Sequence, residues 1–176
     1  MLKRLQENIL AGNQISPTEA LRLTKLQGSQ IYELIHVAWR ITNHFLGTEI
    51  DLCSIINAKS GRCSEDCKYC AQSGHYQTEI EIYPLLDTPK ILDRAREMEA
   101  AGARRFSLVT SGRSASKTEF SQILKIYETL AAETKLYLCA SLGIVNEEQA
   151  AQLAEAGVSM YHHNLETCRS YFPSIC

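Results

Sequence analysis

Apolar residues recur at helical spacing over the first 47 residues, then give way to short apolar runs separated by longer helical stripes. Leu2, Leu5, Ile9 and Leu10 predict a short helix closed at Gly12. Ser16-Pro17-Thr18-Glu19 reads as a helix start: a capping hydroxyl, proline at the first helical position, and an acid three residues beyond the cap. Ile31, Leu34, Ile35, Ala38, Trp39 and Thr42 form a third stripe up to about Gly47. That stripe predicts Trp39 as core and His36 and His44 as helix-surface residues. Residues 1–48 therefore read as an N-terminal helical extension.

The pattern then alternates. Ile50 to Asn57 suits a buried strand, and a cysteine-rich loop follows it. Thr88-Pro89 opens a helix with Ile91, Leu92, Ala95 and Met98 on one face, ended at Gly102. Phe106 to Val109 predicts a second strand, and Ser116 caps a helix carrying Phe120, Ile123, Leu124, Tyr127 and Leu130. Leu136 to Leu142 predicts a third strand. Asn146 starts a helix with Ala150, Leu153 and Ala154 that stops at Gly157, and Val158 to His163 predicts a fourth strand.

Strand then helix, three times over and followed by another strand, is the rhythm of a parallel α/β sheet. No G-x-G-x-x-G and no Walker sequence follows any strand. A (β/α) TIM-type barrel thus fits better than a nucleotide-binding doubly wound sheet. Residues 49–176 are expected to supply about the first four strands, the N-terminal half of a longer barrel, and to be inactive by themselves.

In a parallel barrel the active site gathers at the carboxyl ends of the strands. Those ends carry Cys63, Cys67 and Cys70 after the first strand, and Ser107, Thr110, Ser111 and Arg113 in or after the second. The third holds Cys139 and Ser141; the fourth leads to His162, His163, Asn164 and Glu166. Each alone has an ordinary reading, Cys139 as a buried apolar residue and the histidines as strand-end groups. Together they point to a site. Cys53, Cys168 and Cys176 read as incidental, the first in a core strand and the others in loops.

Composition narrows the function. A net charge of −2 offers no electrostatic case for nucleic acid or a membrane surface. No stretch approaches the ~20 apolar residues of a membrane span. Seven cysteines fit metal chemistry in a reducing cytoplasm better than secretion.

Three of those cysteines lie within eight residues, in Gly61-Arg-Cys-Ser-Glu-Asp-Cys-Lys-Tyr-Cys-Ala-Gln-Ser73. Three thiolates are one short of the usual four for a zinc site or an iron–sulfur cluster. In a [4Fe–4S] cluster the fourth iron would be open to a small molecule. Zinc completed by His75, at C-x4-H, is the alternative, and a zinc-stabilised binding domain the non-enzymatic form of it.

C-x3-C-x2-C with Tyr69 before the last cysteine resembles the signature of radical S-adenosylmethionine enzymes, in which the open iron is chelated by S-adenosylmethionine and one electron cleaves it to a 5′-deoxyadenosyl radical. The cysteine segment looks more narrowly like that of the biotin synthase family. Tyr161-His-His-Asn-Leu-Glu-Thr167 resembles that family's Tyr-Asn-His-Asn-Leu-Asp-Thr. Ala101-Gly-Ala-Arg-Arg-Phe106 and the Leu-Gly after Ser141 resemble further family runs, and the likeness extends from about Ile31 to the last residue. A maturase or a methylornithine synthase of similar barrel is the nearest rival.

The resemblance implies insertion of sulfur into two unactivated C–H positions of dethiobiotin, with no single side chain assigned as catalytic. It places a [4Fe–4S] cluster on Cys63, Cys67 and Cys70, and S-adenosylmethionine at Tyr69, Asn164 and Glu166. Asn164 and His162 would face dethiobiotin. Glu166 stands where the family usually has Asp, and His162 replaces the family's first Asn. It further implies an auxiliary iron–sulfur cluster as sulfur donor, [2Fe–2S] in many relatives, with Ser107 and Cys139 at two of its ligand positions. Many relatives have Cys where this chain has Ser107, and a hydroxyl is a poor ligand on a sulfide-rich iron. The auxiliary centre is therefore expected to be of a different type, anchored through Cys139. An electron donor such as flavodoxin or ferredoxin, and a homodimer when full length, complete the implied partners.

Overall fold

In the computed structural model, which describes residues 1–176, the contacts divide the chain into two units, Met1–Ile50 and Asp51–Cys176. The first holds α1 (Leu2–Leu10), α2 (Pro17–Leu23) and α3 (Ser29–Leu46). Ser16 and Glu19 form a reciprocal capping box that satisfies the first orphan amides of α2. α1 packs on α3 and buries Leu5 and Gln6.

Trp39, expected as core, is 58% exposed. The half-buried residues of α3 are Leu34, Val37 and Ile41, which share one face; Ile31, Ile35 and Trp39 lie on the neighbouring face and are exposed. A helical period shows that a face is apolar, but not which of two adjoining apolar faces finds a partner. No helix of the chain is long and apolar enough to cross a membrane.

The second unit alternates β1 (Cys53–Lys59), α4 (Thr88–Ala100), β2 (Arg105–Thr110), α5 (Lys117–Glu133), β3 (Tyr137–Ser141), α6 (Glu147–Glu155) and β4 (Val158–Tyr161), with a short α7 (Phe172–Ile175). The strands are all parallel and lie side by side in chain order. β1 begins three residues later than expected and runs on to Lys59, because its pairing with β2 starts at Cys53↔Arg105. β4 ends at Tyr161, so His162 and His163 belong to the following loop.

Successive residues of a strand face opposite sides of the sheet. Phe106, Leu108, Leu138 and Ala140 join Ile91, Ala95, Ile123, Tyr127 and Leu130 in the core beneath the helices. Their neighbours in sequence occupy the other face of the sheet.

Two contacts brace the helical side. The buried Tyr127 hydroxyl donates to the Cys139 carbonyl at 2.7 Å. Tyr127→Phe is expected to cost about 1–2 kcal/mol in urea unfolding, since it leaves that buried acceptor short of a donor.

Lys59, at the end of β1, pairs with Glu119 in the first turn of α5 at 2.5 Å, each about a quarter exposed. The Lys59 ammonium holds the Glu119 carboxyl below its ordinary value of 4.5, with help from the Ser116 cap. A carboxylate lowered in the folded state stabilises fully above its unfolded value, and that contribution fades as pH falls through the lowered one. Stability should decline below pH 4.5 by up to about 1 kcal/mol from this pair. Glu119→Gln, followed by thermal unfolding across pH 3 to 6, is expected to flatten that part of the curve.

Candidate functional site

The loop after β1 is held by its own backbone. The Cys63 amide donates to the Gln72 carbonyl at 2.9 Å, and the Gly74 amide returns to the Cys63 carbonyl at 2.8 Å. The Cys70 amide donates to Cys67 O, and the Ser73 hydroxyl to Glu65 O. Arg62 takes a left-handed φ of 55°, which turns the chain out of the strand and into the loop. Ser111, after β2, donates its hydroxyl to Gly61 O and ties the loop to the neighbouring strand.

A cavity of about 430 Å3 opens over the carboxyl ends of all four strands. Cys63, Cys67 and Tyr69 line it, with Thr110 at the end of β2 and Arg113 after it. Ser141 ends β3 and Gly143 follows it, and His162, Asn164 and Glu166 follow β4. Arg113 pairs with Glu65 at 3.1 Å across the mouth of the loop. Glu166 has φ +59°, an uncommon backbone state for a residue with a Cβ.

Gly143 fastens this rim. Its φ is +82°, and a Cβ there would overlap the Arg113 carbonyl oxygen. The Gly143 carbonyl accepts the Tyr161 hydroxyl at 2.6 Å and lies 3.2 Å from His163 Nδ1. The Ile144 amide donates to Arg113 O at 2.7 Å. The loops after β2, β3 and β4 thus meet at one glycine.

Of the residues anticipated for the site, Cys63, Cys67, Tyr69, His162, Asn164 and Glu166 line the cavity. Cys70 is half-buried in the same loop but outside the lining. Ser107 and Cys139 are absent from it as well: they are fully buried neighbours in register on β2 and β3.

Cys176, read as incidental, lines the cavity. Its Sγ is 3.5 Å from the Tyr69 hydroxyl. The Lys68 amide donates to Ile175 O, seating α7 and Phe172 against the cysteine loop. No local pattern announces a contact between residues more than a hundred positions apart. Burial raises the Cys67 thiol and the Tyr69 phenol above their ordinary values, and Cys176 adds to both shifts. Glu166 adds to that of Tyr69.

The donor set fits a cluster. Cys63, Cys67 and Cys70 are free, half-buried thiols on one loop, and the cavity beside them offers amide, carboxylate and hydroxyl groups to a polar ligand. No three His, Cys, Asp or Glu side chains gather as they would around one ion. Thiolates that each bind a different iron of one cluster need not meet at a point. His75, the alternative fourth ligand, instead sets Nε2 3.0 Å from the Ser64 carbonyl.

A family model described as the radical SAM superfamily matches residues 58–176, from the end of β1 through every strand end that lines the cavity. The chain belongs to this superfamily. Membership implies a [4Fe–4S] cluster and S-adenosylmethionine as the centre of its chemistry.

Among curated relatives, the biotin synthase of Pelotomaculum thermopropionicum is 57% identical over 176 residues, all of this chain and 55% of that protein. The biotin synthase of Heliobacterium modesticaldum is 54% identical, again over all of this chain and 54% of its own length. This radical SAM chain therefore spans about half the length of the curated relatives it matches. The likeness includes the helical unit ahead of Ile31.

Solved structures show the fold. Methylornithine synthase superposes with a TM-score of 0.79 at 17% identity, covering 97% of this chain and 50% of that one. The FeFe-hydrogenase maturase HydG from Carboxydothermus hydrogenoformans gives 0.71 at 16%, covering 91% and 37%. The four-stranded sheet with its helices is thus part of a radical SAM barrel.

Proposed function

We propose that this chain carries the radical-generating half of a biotin synthase, which inserts sulfur into two unactivated C–H positions of dethiobiotin. The observation that carries the reading is the 46–57% identity, over the whole chain, to curated relatives named biotin synthase.

Cys63, Cys67 and Cys70 would hold the [4Fe–4S] cluster, which when bound supplies the electron that cleaves S-adenosylmethionine. The chain's other residues bind and orient. Asn164, whose amide both donates and accepts, is assigned to the ribose of S-adenosylmethionine and to the ureido ring of dethiobiotin. The Glu166 carboxylate is assigned to accept from ribose hydroxyls, where the family usually has Asp. Tyr69 and His162 both line the cavity; Tyr69 is assigned to S-adenosylmethionine and His162 to dethiobiotin. Cys139 anchors the auxiliary iron–sulfur cluster that donates sulfur. Flavodoxin or ferredoxin as electron donor, and a homodimeric full-length enzyme, belong to the same reading.

The test is anaerobic reconstitution with iron and sulfide, followed by spectroscopy with and without S-adenosylmethionine. A [4Fe–4S] signal that S-adenosylmethionine perturbs and Cys63→Ala abolishes is expected. Conversion of dethiobiotin to biotin by the full-length protein then decides the substrate. A S-adenosylmethionine-sensitive signal without such conversion would favour another radical SAM activity.

A further inference from the structure

The sheet face opposite the helices carries sulfur that the loop cluster does not use. Register sets Cys53 of β1 beside Arg105 of β2, and Arg105 beside Tyr137 of β3. The next row along the strands is Ile55, Ser107, Cys139 and, on β4, Met160. The intervening positions pack under the helices, so Cys53, Ser107 and Cys139 share the other face. Cys53, expected inside a core strand, is exposed on that face.

Between the two cysteines lies an unexplained group. Ser107 is fully buried, and its hydroxyl has no hydrogen-bond partner. A buried hydroxyl without a partner is costly, and its presence calls for a ligand or another account. A hydroxyl is too hard and too weakly acidic to replace a thiolate on iron sulfide, so Ser107 itself does not fit as a ligand.

Cys53 does fit. It lies on the same face of the sheet as Cys139, diagonally across β2, and its thiol is exposed there. Arg105, in register beside Cys53 and ion-paired to Asp51 at 2.6 Å, supplies positive charge on that face. The two cysteines sit two strands apart and two residues out of register, roughly 12 Å between Cα atoms. A disulfide tolerates at most about 7 Å between Cα atoms, so this pair is not a disulfide in waiting.

We propose that Cys53 and Cys139 together ligate the auxiliary iron–sulfur cluster, with Cys53 supplying the thiolate that Ser107 lacks and the Ser107 hydroxyl donating a hydrogen bond to the cluster's sulfur. This rests on the biotin synthase reading, which supplies the auxiliary centre. It moves one ligand from β2 to β1, and so gives the centre a different footprint on the sheet.

The test uses the full-length protein reconstituted anaerobically with ferrous iron and sulfide. In a Cys63→Ala, Cys67→Ala, Cys70→Ala background, the remaining iron and visible absorption report the auxiliary centre alone. Adding Cys53→Ala, or separately Cys53→Ser, is expected to remove that iron, as Cys139→Ala does, while Ser107→Ala keeps it and alters only its spectrum. With the loop cysteines restored, Cys53→Ser is expected to retain the S-adenosylmethionine-sensitive signal, which shows that the fold survives. Undiminished residual iron in both Cys53 variants, together with its loss in Cys139→Ala, would overturn the role of Cys53 and leave the enzyme reading intact. No residual iron with Cys53 and Cys139 both present would overturn the auxiliary centre itself, and sulfur insertion with it.

Discussion

Cys67→Ala is expected to leave the reconstituted protein without its S-adenosylmethionine-sensitive [4Fe–4S] signal and to lower turnover at least ~1,000-fold, a barrier increase of about 4 kcal/mol. Cys67 sits at the middle of the cysteine loop and on the cavity wall, with Tyr69 and Cys176 beside it. On the proposed assignment, removing its thiolate takes the anchor from one iron at the point where cavity and loop meet. The proposal then leaves the cluster two loop thiolates, fewer than such clusters take. Cys176 is the neighbouring thiol that a displaced iron could reach, so Cys67→Ala should be compared with Cys67→Ala/Cys176→Ser. A signal retained in both would contradict a three-cysteine site. Iron counting separates loss of the cluster from loss of ligand binding alone.

Gly143→Ala should be the most damaging single methyl on the cavity rim. The left-handed backbone at this position costs a residue with a Cβ about 1–2 kcal/mol, before any contact is counted. Here the new methyl also collides with backbone, the Arg113 carbonyl and the Gly112 carbonyl, neither of which can swing aside like a side-chain tip. A total loss of at least about 3 kcal/mol in urea unfolding is expected. Weaker S-adenosylmethionine binding should accompany it, because Arg113, Tyr161 and His163 all orient through this glycine. Gly102→Ala provides the comparison. Its φ is +90°, yet nothing stands within 4 Å of its virtual Cβ. It should show the conformational cost alone, and equal losses in the two variants would refute the packing argument.

The parts legible in the sequence are those whose cause is local. Ser16, Ser116 and Asn146 each cap a helix through a reciprocal box within four residues, so both the signal and the structure lie in one short window. The spacing of Cys63, Cys67 and Cys70 marks the loop for the same reason. The strand centres were visible as apolar runs, and the rule that barrel sites lie at strand ends then led to His162, Asn164 and Glu166.

Features set by distant partners were not legible. Ile50 looks like the start of a strand, but β1 begins only where Arg105 comes alongside Cys53, and Ile50 remains 78% exposed. Trp39 lies on an apolar face of α3, but α1 packs against the adjoining one. Cys176 reaches Tyr69 across more than a hundred residues of chain. The strand alternation that puts Cys53 on the same face as Cys139 depends on registry across three strands, which no window of sequence encodes.

The left-handed backbone at Glu166 sets selection for robustness against selection for turnover. A glycine or asparagine would relax that turn, and a library sorted only for heat resistance should become enriched in them at this position. Each such survivor would have traded away a carboxylate from the cavity wall. Heat-hardened descendants of this chain should therefore be screened for cofactor affinity at residue 166 before any other position is blamed for lost activity.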